Sequence, residues 1–216
     1  MKKSNIIALI TLIVIFAGVC SNGIILRNKF LNGDFDDPYK NGIKEILPPV
    51  ASICFMNDTA YFSNTGEIRV VHSDTINQFL STKQDISYEV KNGKLTVVKK
   101  GYNSRGKILL TELEKVEVIS SQFINIEGFH TKDMCLVAEH KSDISLIDCH
   151  IENLIIMAND ESRIYIDSSN SIQNLDLKLA SKSAFTSRNV AYNEFIYDVQ
   201  DNCDLIISGR SLDVLK

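Results

Sequence analysis

The segment ANDESRIYID, residues 158–167, repeats an arrangement found twenty residues earlier in AEHKSDISLID, residues 138–148. In both segments an alanine is followed four residues later by a serine, and apolar and polar residues then alternate. Such alternation is typical of a β-strand that buries one face. The recurrence therefore predicts strands that return at intervals of about twenty residues.

Four apolar triplets extend this pattern at steps of 20, 21 and 20 residues. They are Met134/Leu136/Ala138, Leu154/Ile156/Ala158, Leu175/Leu177/Leu179 and Phe195/Tyr197/Val199. The steps are too short for a strand–helix–strand crossover, which needs about 30 residues. We therefore predict an all-β fold: a single-stranded parallel β-solenoid (β-helix) whose coils of about 20 residues stack in register.

Small and amide residues mark the predicted corners of these coils. A small residue follows each triplet, at Ser142, Ser162, Ser183 and Cys203. Asn153 and Asn174 precede their strands at one position of the repeat, where a short amide tolerates left-handed backbone. The final SLDVLK, residues 211–216, has no capping pattern, so the last coil is expected to be open.

A β-hairpin is predicted upstream, in DISYEVKNGKLTVVKKG, residues 85–101. Ile86, Tyr88 and Val90 alternate up to Asn92–Gly93, a pair that favours a type I′ turn. We therefore divide the solenoid domain, 51–216, into a strand-rich part with the hairpin, 51–112, and regular coils, 113–216.

The N-terminal residues resemble an export signal. Lys2 and Lys3 precede a mainly apolar run that reaches Leu26, and 21 residues from Ile6 would span a bilayer core of about 30 Å. We favour an uncleaved transmembrane signal anchor in residues 1–28; a cleaved signal peptide and a lipidated Cys20 are the alternatives.

A linker at 29–50 follows this segment. The predicted location is the cell membrane, crossed once by residues 6–26. The C-terminal domain would be extracytoplasmic, either periplasmic or on the cell surface.

Composition and motifs argue against an enzyme. A net charge of −4 disfavours nucleic acid as a partner, and the chain has no hydrolase elbow, P-loop or CxxC pair. We expect no catalytic, cofactor-binding or metal site. The charged or aromatic outward positions form no compact acid cluster: Asp143, Arg163, Tyr165, Asp176, Lys178, Asp198 and Asp204. His130 and His150 would stack on adjacent coils, where two imidazoles could share a metal ion or sense acid pH, but no third ligand is evident, so we interpret them as surface histidines.

One predicted outer surface is unexpectedly apolar. Cys135, Val137, Ile155 and Met157 take outward positions on two consecutive coils, where polar residues are the norm. These four residues form the candidate interaction patch. Either the N-terminal strands pack across it, or it contacts a second copy of the chain or another surface partner.

With these features the chain resembles the GIN-domain family, the head domains of auto-transporter adhesins in Bacteroidota-type bacteria. The likeness covers about residues 50–216. Besides the export segment and the repeats, it includes VASICFMNDTAYFSNTGEIRVVHS, residues 50–73, and SYEVKNGKLTVVKKG, residues 87–101. The chain departs from the family in having few glycines at the coil corners. The resemblance implies an extracytoplasmic β-solenoid adhesin and carries over no catalytic residues.

The expected function is that of an exported, membrane-anchored, non-enzymatic domain with a surface-binding or adhesion-like role. The alternative is a structural protein that polymerises end to end through its open last coil. A polysaccharide-active enzyme is the third reading. The sequence identifies no ligand.

Overall fold

The computed structural model describes residues 39, 42–57, 67–82, 86–100, 105–119 and 122–215. The chain divides into two units, Met1–Lys40 and Asn41–Lys216, and every element below belongs to the second. The predicted signal anchor in residues 1–28 lies outside the described residues, as does most of the predicted linker. No helix within the described ranges is long and apolar enough to cross a membrane.

The described residues form seventeen β-strands in two sheets, followed by a 3-10 helix, Gly209–Leu215. The strands are β1 Ile43–Ile46, β2 Ser52–Asn57, β3 Glu67–His72, β4 Gln78–Ser81, β5 Ile86–Lys91, β6 Lys94–Lys99, β7 Gly106–Leu110, β8 Lys115–Ile119, β9 Phe123–Glu127, β10 His130–Glu139, β11 Asp143–Ile147, β12 His150–Ala158, β13 Arg163–Ile166, β14 Ser171–Leu179, β15 Ala184–Arg188, β16 Glu194–Val199 and β17 Asp204–Ser208. One sheet has nine strands, in the order β1-β4-β7-β3-β9-β11-β13-β15-β17. The other has eight, in the order β16-β14-β12-β10-β8-β2-β6-β5.

The strands from β8 to β17 follow the register that the repeat predicts. The chain alternates between the sheets, and each strand pairs in parallel with the strand two elements later. Leu136 lies opposite Ile156, Ile156 opposite Leu177, and Leu177 opposite Tyr197. The alignment of the four triplets is therefore confirmed.

In-register pairing places the inward apolar side chains in columns that join one core cluster. Leu136, Ile156 and Leu177 are all fully buried, and burying each side chain contributes roughly 1.5–3 kcal/mol. Tyr197 continues the same column but is 53% exposed, because β16 is the last strand of its sheet. Stacking of successive strands thus supplies the burial that a single strand lacks.

The predicted single-stranded parallel β-solenoid is nevertheless wrong, because both sheets are mixed. The pairs β1–β4, β4–β7 and β5–β6 are antiparallel. The strands are also out of chain order, since β2 lies between β6 and β8, and β3 lies between β7 and β9. A solenoid stacks consecutive coils. Here the chain passes from β3 through β4, the β5–β6 hairpin and β7 before it resumes with β8 on the other side of β2.

The predicted hairpin is confirmed within this irregular part. Val90 lies opposite Leu95 and Tyr88 opposite Val97 in the antiparallel β5–β6 pair. Asn92 and Gly93 connect the strands with φ angles of 51° and 73°. Positive φ at both central residues defines a type I′ turn, whose twist matches that of the strands.

Three stacked corners after β10, β12 and β14 use left-handed backbone without glycine. Their paired residues have φ between 51° and 64°: His140–Lys141, Asp160–Glu161 and Ser181–Lys182. The serine that follows each pair, one of the small residues noted in the sequence, is fully buried in all three corners. Backbone hydrogen bonds link successive corners, including one that Lys141 N donates to Asp160 O over 2.8 Å. The corners therefore retain left-handed conformations that side chains ordinarily disfavour.

Asn153 and Asn174 do not have the corner role predicted for them. Both lie within strands, β12 and β14, and neither has a positive φ. Asn153 Nδ2 donates to Asp133 Oδ1 and Asn174 Nδ2 donates to Asn153 Oδ1, each over 2.8 Å. Parallel in-register strands bring equivalent side chains within about 4.8 Å, which suits a ladder of amides.

The C-terminal end is not the open coil that the sequence predicted. The 3-10 helix Gly209–Leu215 contacts β15, β16 and β17. Its buried Ser211 accepts a hydrogen bond from Val190 N over 2.9 Å. Ser187 Oγ lies 3.0 Å from Ser211 Oγ and 2.7 Å from Tyr192 Oη, so one hydroxyl network ties the helix to the sheets.

This network predicts a loss of stability at alkaline pH. Burial raises the pKa of Tyr192 to about 12, against about 10 in an unfolded chain. A pKa raised on folding gives stability that is complete below about pH 10 and is lost as the pH rises towards 12, in total about 2–3 kcal/mol.

The variant Tyr192→Phe separates this effect from the hydrogen bond. At neutral pH it should lose about 1 kcal/mol of unfolding free energy with the hydroxyl contact. Between about pH 9 and pH 11 it should then lose less stability than the parent does. Urea unfolding across this range measures both effects, and equal pH slopes for the two proteins would contradict the assignment.

The left-handed corners predict that replacing lysine by glycine has opposite effects on stability at two positions, one in a corner and one in a strand. Lys182→Gly should raise the unfolding free energy by about 0.5–1 kcal/mol, because glycine adopts positive φ without a Cβ clash. Lys178→Gly, in the extended strand β14, should lower it by about 1 kcal/mol. Urea unfolding of both variants tests this, and a decrease of similar size in both would refute corner strain.

Candidate functional site

The four apolar residues singled out in the sequence lie side by side on the eight-stranded sheet. Cys135 of β10 lies opposite Ile155 of β12, and Val137 lies opposite Met157. Ile155 is 42% exposed and Met157 39%, while Cys135 and Val137 are half-buried. These four side chains are here called the β10–β12 patch.

Strand geometry fixes the outward direction of the patch. Successive side chains of a strand point to opposite faces, and Leu154, Ile156 and Ala158 take the buried positions of β12. Ile155 and Met157 between them must therefore face away from the core. No register shift can hide them without exposing the core residues.

The described N-terminal strands do not pack across the patch. The strands β1 to β7 all pair within the two sheets, where they extend each sheet beyond β8 or β9. They lie beside the regular strands and not over their outer faces. The sequence offered two accounts of the patch, and one was that these strands pack across it. The described residues do not show such packing.

A groove of about 310 Å³ adjoins the patch, with Val137 and Met157 in its lining. Charged side chains of both signs complete its wall: Glu139, Lys178 and Asp198. An apolar centre with a charged margin is the usual layout of a protein-binding surface.

A second apolar group on the same face was missed in the sequence. Met56 of β2 lies opposite Ile119 of β8 and Val98 of β6. Met56 is 41% exposed, and the other two are half-buried. The three residues belong to strands that are out of chain order, so no repeat in the sequence aligns them.

Glu117 of β8 lies between the two apolar groups and binds two lysines. Lys115 Nζ is 2.6 Å from Glu117 Oε1, and Lys94 Nζ is 2.5 Å from Glu117 Oε2. The hydrogen bonds from Lys115 and then Lys94 lower the pKa of the Glu117 carboxyl. The two ammonium groups keep the carboxylate ionised, so Glu117 is poorly suited to donate a proton.

The cysteines near Glu117 offer no covalent chemistry. Burial raises the pKa of both the Cys54 and the Cys135 thiol, so both stay protonated and weakly nucleophilic. Their strands flank β8 and are therefore about 9.6 Å apart, too far for a disulfide. The described cysteines are all free: Cys54, Cys135, Cys149 and Cys203.

The outer face of the nine-stranded sheet carries ion pairs as well as exposed apolar side chains such as Ile206, which is 52% exposed. The Arg69 guanidinium binds both carboxylate oxygens of Glu127, and Arg163 Nε lies 3.0 Å from Asp143 Oδ1. The charged and aromatic outward residues named from the sequence divide between the faces. Asp143, Arg163, Tyr165 and Asp204 lie on this sheet, while Asp176, Lys178 and Asp198 lie on the other.

The predicted stacking of two histidines is confirmed. His130 and His150 lie opposite each other at the start of β10 and β12, with ring centroids 4.4 Å apart. In the part of the chain that the structure describes, no group of three or more His, Cys, Asp or Glu side chains is placed to hold a metal ion.

Comparison with known proteins finds one matching family and several similar structures. The family described as "Putative auto-transporter adhesin, head GIN domain" matches residues 64–209. A "putative adhesin" from Parabacteroides distasonis has a similar structure, with a TM-score of 0.59, 12% identity, and coverage of 76% of this chain and 71% of that one.

A second such protein, from Bacteroides fragilis, gives a TM-score of 0.47 at 11% identity over 79% of this chain and 99% of its own. No curated protein matches the chain in sequence.

Two neighbouring isoleucines test the exposure of the patch. Ile155→Lys should change the unfolding free energy by less than about 1 kcal/mol, since the ammonium reaches solvent from a 42% exposed position. Ile156→Lys should prevent folding, because it buries an unpaired charge in the core. Circular dichroism and urea unfolding distinguish the two. Loss of folding in both variants would show that the patch is covered.

Proposed function

The chain belongs to the family of auto-transporter adhesin head GIN domains, and we propose that it is a non-enzymatic binding domain that contacts its partner through the β10–β12 patch. The observation that carries this proposal is the in-register exposure of Ile155 and Met157, two large apolar side chains, on an outer sheet face. Exposed apolar patches of this kind mark interaction sites in soluble domains.

The composition of the patch favours a protein surface as its partner. Its four side chains offer apolar area but no hydroxyl, amide or charged group, whereas a sugar needs polar partners for its hydroxyls when it is desolvated. The charged margin of Glu139, Lys178 and Asp198 would orient the partner, while the apolar centre supplies affinity.

Export and membrane attachment are part of the same proposal. The apolar run from residue 6 to residue 26 supports a membrane anchor with the β domain outside the cytoplasm. The family description, an auto-transporter adhesin, agrees with a location at the cell surface. An anchored domain would present its patch to other cells or to matrix.

End-to-end assembly is the weaker alternative. Its main argument was an uncapped C-terminal coil, yet the 3-10 helix Gly209–Leu215 contacts the last three strands. The patch, in contrast, lies on a sheet face, where a partner can bind without extending the stack of strands.

An adhesion assay tests the proposed surface. Beads carrying the detergent-solubilised full-length chain are applied to immobilised fibronectin, collagen, laminin and mucin glycans. We expect adhesion to at least one of the proteins. The double variant Ile155→Lys/Met157→Lys should reduce it at least about tenfold, because two buried apolar contacts would be lost.

The matched control is Tyr165→Lys, which alters a 40% exposed residue on the opposite outer face. It should leave adhesion unchanged. Equal adhesion of the folded double variant and the parent would exclude the patch, and adhesion to none of the four surfaces would count against the adhesive role.

A further inference from the structure

Two of the four histidines lack the polar partner that the others have. His72 Nε2 lies 3.2 Å from Asp74 Oδ1, and His140 Nδ1 lies 3.2 Å from Asp160 Oδ2. Among the described residues, neither the His130 nor the His150 ring has a hydrogen-bonding or ionic partner. These two rings contact each other instead and leave their nitrogens available.

Strand pairing holds the two rings together. His130 and His150 are directly opposite in the parallel β10–β12 pair, and the next residues, Thr131 and Ile151, are opposite as well. Parallel strands lie about 4.8 Å apart, which agrees with the observed centroid separation of 4.4 Å. The backbone therefore fixes both rings on one side of the sheet before any ligand arrives.

From this geometry we propose that His130 and His150 bind one divalent transition-metal ion, each through one ring nitrogen. Nitrogens bound to the same ion at about 2.0–2.1 Å are about 3.0–3.4 Å apart. The exposed rings, inclined to each other by 57°, reach this arrangement by side-chain rotation without a change in the strands.

The surroundings leave room for the rest of the coordination shell. The two histidines line a cavity of about 410 Å³, together with Glu152, Lys132 and Ser171. Glu152 lies two residues after His150 on the same face of β12, where its carboxylate can balance part of the metal's charge. The Lys132 ammonium opposes that charge. Water fills the remaining ligand positions.

The ligand type determines which metals the site takes. Neutral imidazole suits Ni²⁺, Cu²⁺ and Zn²⁺, whereas Ca²⁺ and Mg²⁺ prefer shells of oxygen ligands. Two fixed nitrogens bind a metal ion more tightly than one. Once the ion is bound to the first nitrogen, the second is held beside it at a high effective concentration. The site does not depend on the proposed adhesive function.

Calorimetric titration of the full-length chain with Ni²⁺ tests the site. The parent should bind one ion, and His130→Ala and His150→Ala should each weaken the affinity at least about tenfold. The double variant should bind more weakly than either single variant, because it also lacks the imidazole that each single variant retains. His140→Ala is the control and should bind like the parent.

Imidazole nitrogen NMR spectra locate the ion independently. Paramagnetic Ni²⁺ should broaden the signals of His130 and His150 first, while those of His72 and His140 remain sharp. The proposal is overturned if the parent binds no Ni²⁺, if His150→Ala binds as tightly as the parent, or if broadening begins at His140. Matching circular dichroism spectra of the variants exclude misfolding as the cause of lost binding.

Discussion

Parallel, in-register pairing of equivalent residues is the constraint on which the rest of this structure depends. Leu136, Ile156 and Leu177 form a buried column because each lies opposite the next. The same register stacks the left-handed corners, the amide ladder from Asp133 to Asn174, and the two imidazoles. A slip of one residue would turn every column from the core to solvent.

The two outer faces show that this constraint does not determine what the surface carries. The nine-stranded sheet presents ion pairs, such as Arg69 with Glu127, together with exposed apolar side chains such as Ile206. The eight-stranded sheet presents apolar side chains around the paired charges of Lys94, Lys115 and Glu117. Outward side chains do not pack in the core, so folding does not require them to be apolar. An apolar outer face can therefore be selected for function. The in-register exposure of Ile155 and Met157 on this face is the basis of the proposed binding role.

Particular residues show how far sequence reasoning reached. The alternation around Ile156 identified both the core column and the exposed Ile155 and Met157 on either side of it. Asn92–Gly93 identified the hairpin turn because positive φ has a strong residue preference. Asn153 was misread, since an amide suits both a left-handed corner and a ladder within a strand. The sequence did not distinguish these two roles. Only the hydrogen bonds of Asn153 with Asp133 and Asn174 show that it belongs to a ladder.

The sequence by itself determined the strands β8 to β17 and their register, because each strand pairs with one about twenty residues away and carries the same local pattern. Only the tertiary structure decided the order of β1 to β7. There Phe55 pairs with both Val97 and Val118, residues far apart in the chain that no shared period connects. The predicted fold class was wrong for the same reason, and the exposed apolar group of Met56, Val98 and Ile119 was not predicted. Residues brought together by non-periodic pairing leave no repeated signal, because their contact is defined only when the sheets assemble.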